Sequence, residues 1–269
     1  MSPLYVSSPQ NPLLKEYRKL QGSSRQRRIK NRIVLEGPNL VREALKAGIV
    51  PEVLLYTENY YEESGKAWLA SLPTSVKQVI LTPDLFISIA ATDTPQPVAA
   101  IVPRNFGETA VPADSKTYRL ILVLDRIRDP GNMGAIIRTA AAAGVDIIYY
   151  TPESADPFNP KVLRATAGTV FSVKVEEARK PLELIRNLKQ NGVQLIAADA
   201  RSRRSHWSVA YKLPAALLVG NESEGISREL KNEADLTVSI PLSGSVESLN
   251  AAVASAVILY EIIRPGKAD

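Results

Sequence analysis

The feature that most constrains this chain is the regular exchange of short apolar runs with stretches of helical periodicity. Residues 33–37, 53–56, 76–81 and 98–102 are short, apolar and bounded by turn residues, which predicts strands. Between them, residues 11–20, the stretch that Pro38 opens and Gly48 stops, residues 60–72 and a short turn from Thr82-Pro83 predict helices. A second run follows. Residues 120–124, 147–150, 194–198, 217–220 and 237–240 read as strands, and 170–175 as extended chain. Residues 134–143, 161–169, 181–190 and the Ala-rich 249–263 read as helices. Such alternation specifies an α/β protein. The unbroken apolar run at 120–124 predicts a buried parallel strand. The polar, aperiodic residues 105–117 separate the runs, giving domains at 1–104 and 118–269 joined by a linker.

The chain has no cysteine and one histidine, His206. That excludes a thiol nucleophile, a disulfide framework, an iron–sulfur cluster, a Cys-bearing zinc site and a His-rich metal centre. No apolar stretch reaches the roughly 18 residues that a membrane span needs, and the first residues lack a leader pattern. The expectation is a soluble cytoplasmic protein without metal. His206 lies in the polar Arg201-Ser202-Arg203-Arg204-Ser205-His206-Trp207 stretch, which reads as surface. No Gly-x-Ser-x-Gly elbow accompanies it, so a Ser-His-Asp hydrolase is disfavoured.

Charge is unevenly spread. Residues 1–32 hold Lys15, Arg18, Lys19, Arg25, Arg27, Arg28, Lys30 and Arg32 against Glu16 alone. This arm carries +7 on a chain whose net charge is +5, so the rest carries −2. A basic arm on a near-neutral body is the footprint of a polyanion binder. Lys15, Arg18, Arg25, Arg27, Arg28, Lys30 and Arg32 are therefore the candidate nucleic-acid contacts. A solvated face would show the same charge.

Three strand-end loops are polar and glycine-rich. The first is Asp129-Pro130-Gly131-Asn132-Met133-Gly134, with Arg138 about one turn into the helix that follows and Asn132 at its N-cap. The second is Gly220-Asn221-Glu222-Ser223-Glu224-Gly225-Ile226-Ser227. Its glycine spacing is that of a P-loop, but Ile226 stands where Lys is needed and two glutamates replace phosphate donors. The third runs from Ile240 through Ser248, Leu249 and Asn250 into the last helix, with Ser248 as a candidate cap. Singly, each reads as an ordinary turn.

In this order and spacing the three loops resemble the three motifs of the SpoU/TrmH family of the SPOUT superfamily, RNA ribose 2′-O-methyltransferases. The resemblance spans residues 119–264. Residues 11–47, with Val34-Leu35-Glu36-Gly37-Pro38-Asn39-Leu40-Val41, are similar to the substrate-binding domain of two-domain members that act on ribosomal RNA. Ser223 and Ala141 depart from residues common in the family. The resemblance implies an α/β C-terminal SPOUT domain with a parallel sheet and a deep trefoil knot, beside a smaller α/β substrate-binding domain. It implies S-adenosylmethionine held near Ala198, Asp199, Gly220, Ile240 and Leu249. It also implies catalysis by Arg138, Asn132, Glu222, Ser248 and Asn250, and a homodimer with the active site at the subunit interface. The implied reaction is methylation of a ribose 2′-hydroxyl in large-subunit ribosomal RNA. Transfer RNA as substrate, a non-catalytic RNA binder on the same fold, and a protein-interaction module are the alternatives.

Overall fold

The computed structural model of the chain describes residues 3–92, 94–105, 118–244, 246 and 248–264. The chain forms two compact units. One is Met1–Thr109 with Phe158–Phe171, and the other is Ala110–Pro157 with Ser172–Asp269. Apart from Asn105, the expected linker lies outside the described residues.

The first unit runs β1 (Leu4–Val6), α1 (Pro12–Gly22), α2 (Ser24–Lys30), β2 (Arg32–Glu36), α3 (Pro38–Lys46) and β3 (Val53–Thr57). It continues with α4 (Glu58–Tyr60), α5 (Lys66–Ala70), β4 (Lys77–Leu81), α6 (Pro83–Ile87) and β5 (Val98–Pro103). A π turn, Tyr61–Gly65, joins α4 to α5. The sheet order is β1-β4-β3-β5-β2. β1, β4 and β3 are mutually parallel, and β5 is antiparallel to both β3 and β2. Leu14, Tyr17 and Leu20 of α1 share one helix face and are buried with Leu55, Val79 and Phe86. Each such side chain contributes about 1.5–3 kcal/mol on burial. The Phe158–Phe171 segment belongs to this unit because Arg164 approaches the buried Glu36 and Arg104 lies over the Phe158 ring. Glu36 is satisfied by the Ala91 amide at 2.9 Å and the Thr92 hydroxyl at 2.7 Å.

The second unit runs β6 (Leu120–Asp125), α7 (Pro130–Ala142), β7 (Ile147–Tyr150), β8 (Lys174–Glu177), α9 (Pro181–Gln190), β9 (Gln194–Ala198), β10 (Ala215–Gly220), α10 (Arg228–Glu233), β11 (Leu236–Val238) and α11 (Ala251–Ile262). The intervening α8 (Pro160–Ala165) lies in the first unit. All five strand pairings are parallel, in the order β11-β9-β10-β6-β7-β8. Every residue of β6 and β10 is buried, as two-sided burial in a parallel sheet requires. β10 enters between β9 and β6, so the chain reverses its direction of travel across the sheet at this central pair. In open α/β sheets, ligands bind beyond the carboxyl ends of strands at such a reversal.

Several local expectations change. Residues 170–175 are a 3-10 turn, Thr169–Ser172, ahead of β8 rather than one extended run. The last helix starts two residues later than its apolar pattern, at Ala251, because Asn250 caps it. No helix among the described residues is long and apolar enough to cross a membrane.

Candidate active site

Asp125 closes β6 as a buried carboxylate. It accepts from the Ser227 amide at 2.7 Å and the Thr151 hydroxyl at 3.2 Å, tying the ends of β6 and β7 to the loop after β10. Arg126 follows in the left-handed region at φ 57°, which disfavours a residue with a Cβ. It is held on both sides: its amide donates to the Thr151 hydroxyl at 2.9 Å, and its carbonyl accepts from Asn221 Nδ2 at 3.1 Å. Its guanidinium pairs with Glu224. Arg128 also reaches Glu224, at 3.3 Å.

Pro130 occupies the first turn of α7, and the Asp129 carboxylate accepts from the Asn132 amide at 2.7 Å. Asp129, not Asn132, is thus the cap, because proline at the first helical position starts the helix four residues earlier than its apolar pattern. Arg138 consequently lies about two turns into α7. It is exposed, and among the described residues its guanidinium has no hydrogen-bonding or ionic partner.

Asn221 folds the second loop. Its Oδ1 accepts from the amides of Ser223 at 2.9 Å and Glu224 at 3.2 Å, and its backbone bridges to Gly225. Gly225 sits at φ 70°. A Cβ on Gly220 would lie 2.2 Å from the Gly225 carbonyl carbon and the Ile226 nitrogen. Only glycine permits this closure. In the third loop Asn250 is the cap of α11, accepting from the Ala252 amide at 2.9 Å and the Val253 amide at 3.3 Å. Ser248 stands two residues ahead of it, too early to cap.

These loops are joined by a side-chain chain. Asn250 Nδ2 donates to Asn132 Oδ1 at 2.7 Å, and Asn132 Nδ2 donates to Glu222. One residue from each sequence motif is therefore connected to the next, with the Glu222 carboxylate as the terminal acceptor.

Behind Glu222 lies a cavity of about 670 Å³. Ala198, Asp199, Gly220, Ile240 and Leu249 all line it, as do Glu222 and Ser248, whereas Asn132, Arg138 and Asn250 do not. Its size is that of a small-molecule site. Leu242, Ala254, Ile258 and Lys231 also line it and are not among the expected site residues; Ala254 and Ile258 lie on α11, which reads as a core helix. Asp199 and Lys231 form an ion pair on its wall. Burial pushes the Asp199 carboxyl up, but the Lys231 ammonium and the Arg201 amide outweigh this and hold it below the ordinary carboxylate range. The donor set suits a ligand with an apolar ring system and positive charge. Apolar side chains and main chain line part of the cavity, Glu222 and Glu224 stand beside them, and of the lining cations Lys231 is paired with Asp199 while Arg201 stands at the start of the loop after β9.

In the first unit the basic arm is folded as α1 and α2 rather than as a tail. Lys15, Arg25, Arg28 and Lys30 are exposed, and Arg18 donates to the Pro9 carbonyl and the Ser88 hydroxyl, both at 3.1 Å. Arg32 is shared between Glu16 at 2.9 Å and Glu52 at 2.5 Å. Arg27 corrects the expectation of an RNA contact. Its guanidinium is buried, donating to the carbonyls of Leu20 at 2.6 Å and Gln21 at 3.1 Å. It closes the end of α1, so it has no face left for a phosphate.

Comparison with known proteins places these features together. The SpoU rRNA Methylase family matches residues 119–260, and the MRM3-like substrate binding domain matches residues 11–100. The 23S rRNA (guanosine(2553)-2′-O)-methyltransferase RlmP of Bacillus subtilis is 34% identical over 258 residues, covering 96% of this chain and 98% of that protein. The AdoMet-bound rRNA methyltransferase from Sinorhizobium meliloti superposes with a TM-score of 0.82 at 31% identity, covering 97% of each chain. The SpoU methyltransferase AviRb from Streptomyces viridochromogenes, in complex with AdoMet, superposes at 0.85 with 27% identity, covering 95% of this chain and 98% of that one.

Proposed function

Because the chain belongs to the SpoU rRNA Methylase family, we propose that it transfers a methyl group from S-adenosylmethionine to a ribose 2′-hydroxyl of large-subunit ribosomal RNA. The observation that carries this reading is the Asn250–Asn132–Glu222 chain ending at the mouth of the cavity. The relatives that act on 23S ribosomal RNA support the substrate class.

The cavity fits the cofactor. Main chain near Ala198, Gly220, Ile240 and Leu249 would hold its adenosine, and the carboxylates at the rim complement its positive charge. Bound there, S-adenosylmethionine supplies a methyl on a sulfonium sulfur, which leaves as a neutral thioether when the 2′-oxygen takes the methyl. The 2′-hydroxyl must lose its proton in that displacement. Glu222 accepts it, a contribution of about 10²–10⁴-fold. Asn132 orients Glu222, and Asn250 fixes which way the Asn132 amide points, so the carboxylate faces the substrate in one rotamer. Ser248, exposed on the cavity wall, holds the ribose. Arg138 carries a guanidinium, which offers N–H donors and no acceptor site. It therefore serves as an anchor for the target phosphate and for developing oxyanion charge, not as the base.

The chain acts as a homodimer in the cytoplasm in this account. Val253, Val257 and Tyr260 recur at i, i+4 and i+7 on α11 and are all exposed, an apolar stripe that a second copy would cover. The domain that carries α1 and α2 captures RNA through Lys15, Arg18, Arg25, Arg28 and Lys30. The family implies a trefoil knot in the second unit as well.

The test is transfer of labelled methyl to unmodified large-subunit ribosomal RNA and, separately, to transfer RNA, with the modified nucleotide mapped. Label on a ribose 2′-oxygen of the ribosomal RNA is the expected result. Label on transfer RNA alone, or on a base, overturns the assignment.

A further inference from the structure

The loop between β9 and β10 takes no part in the catalytic chain, yet it is tightly built. The Ser202 hydroxyl donates to the Thr237 carbonyl at 2.7 Å and accepts from the Arg204 amide at 3.2 Å. The Ser239 hydroxyl donates to the Ser202 carbonyl at 2.9 Å, and the Ser239 amide donates to the Arg204 carbonyl at 2.8 Å. The His206 amide returns a bond to the Ser239 carbonyl at 2.8 Å, and the Tyr211 hydroxyl donates to the His206 carbonyl at 2.6 Å. His206 is buried, contrary to its polar sequence context, and its ring meets the Trp207 indole edge-on at 4.7 Å.

What this frame presents is unexpectedly exposed. Trp207 is 57% exposed although its ring is braced by the imidazole. Arg203 and Arg204 are exposed, and among the described residues neither guanidinium has a carboxylate partner. Arg201, at the start of the loop, lines the cofactor cavity. At most about 22 Å of extended chain separates Arg201 from Trp207, a span of a few nucleotides.

We infer that this loop is a second RNA contact, specific for single-stranded RNA beside the cavity: Arg203 and Arg204 hold consecutive phosphates, and Trp207 stacks on an unpaired base. The inference rests on the reading of the chain as an RNA methyltransferase. A guanidinium meets phosphate through paired N–H donors. An indole face accepts any unstacked base, whereas the bases of a duplex are already stacked on one another. A backbone fixed by side-chain bonds lowers the ordering cost of binding.

The experiment compares wild type, Arg203→Ala with Arg204→Ala, Trp207→Ala and Trp207→Phe as full chains. It measures kcat and KM for ribosomal RNA and affinity for a fluorescent single-stranded oligoribonucleotide across a salt series. Cofactor titration and sedimentation mass are the controls. The double arginine variant is expected to raise KM at least about tenfold with kcat unchanged. It should lower the slope of log affinity against log salt by about 0.7 for each phosphate no longer neutralised. Trp207→Ala is expected to weaken binding by about tenfold without changing that slope, and Trp207→Phe to restore most of it. Unchanged KM and oligonucleotide affinity in these variants overturn the loop assignment while leaving the enzyme reading intact. A fall in molecular mass overturns it in favour of self-association through the loop. If wild type methylates no ribosomal RNA, the enzyme reading fails, and the oligonucleotide series still decides the loop.

Discussion

Alanine at position 220 puts a Cβ where the chain has no room for one. That atom would lie 2.2 Å from the Gly225 carbonyl carbon and 2.2 Å from the Ile226 nitrogen, against ordinary contact from 3.4 Å. The return limb of the loop must retreat by the difference, about 1.2 Å. Both neighbours are backbone, so no rotamer change relieves the clash. The displaced segment carries Glu222 and much of the cavity wall, from Asn221 to Ile226. A misplacement of about 1 Å typically costs on the order of 10²-fold in rate, or about 2.7 kcal/mol of transition-state stabilisation. Gly220→Ala should therefore lower single-turnover methyl transfer at least about a hundredfold and weaken S-adenosylmethionine binding in a calorimetric titration. Global stability should drop by only about 1–3 kcal/mol, the range for overpacking. A Gly220→Ala protein with wild-type affinity and turnover would refute the claim that this closure shapes the site.

Other consequences are as specific. Asn250→Asp keeps the acceptor that caps α11 but loses the donor to Asn132, so thermal stability should hold within about 0.5 kcal/mol while methyl transfer falls at least about tenfold; equal losses in melting and activity would contradict it. Arg27→Met should cost about 1.5–3 kcal/mol in denaturant unfolding through the carbonyls it leaves unpaired, whereas Arg25→Ala should leave stability unchanged and weaken RNA binding at low salt. The Asp199 carboxyl is held below its ordinary 3.8 by Lys231. Its contribution to stability is thus present above pH 3.8 and disappears as pH falls through the depressed value, so Asp199→Asn should be less stable at neutral pH and show a shallower acid limb. Val253→Glu with Val257→Glu should yield a monomer by sedimentation if α11 carries the dimer interface.

Much of this architecture is legible in the sequence because it rests on periodicity. The apolar run of β6 declares a buried parallel strand and the run at 217–220 declares the strand β10, whereas the start of α7 at Pro130 is masked by the polar loop before its apolar pattern. The cofactor-site residues inferred by resemblance to known sequences line one cavity. Local pattern fails where a long-range partner decides. Arg27 reads as part of a basic arm, yet the bare end of α1 draws it inward. His206 reads as surface because its neighbours are polar, yet the Ser239 main chain and the Trp207 ring bury it. The Phe158–Phe171 segment lies within the second run of elements in sequence, while its packing is with the first unit. The caps fall at Asp129 and Asn250 because the side-chain acceptor nearest the first free amides wins, not the residue nearest the start of the apolar pattern.

The central claim is that Glu222, aligned through Asn132 and Asn250, takes the proton from the ribose 2′-hydroxyl. Glu222→Gln preserves the shape of the side chain and removes the acceptor charge. Single-turnover transfer of labelled methyl to ribosomal RNA by this variant, with S-adenosylmethionine bound to saturation, tests that claim directly. The predicted rate is lower than wild type by about 10²–10⁴-fold. A rate equal to wild type under saturating cofactor would contradict it.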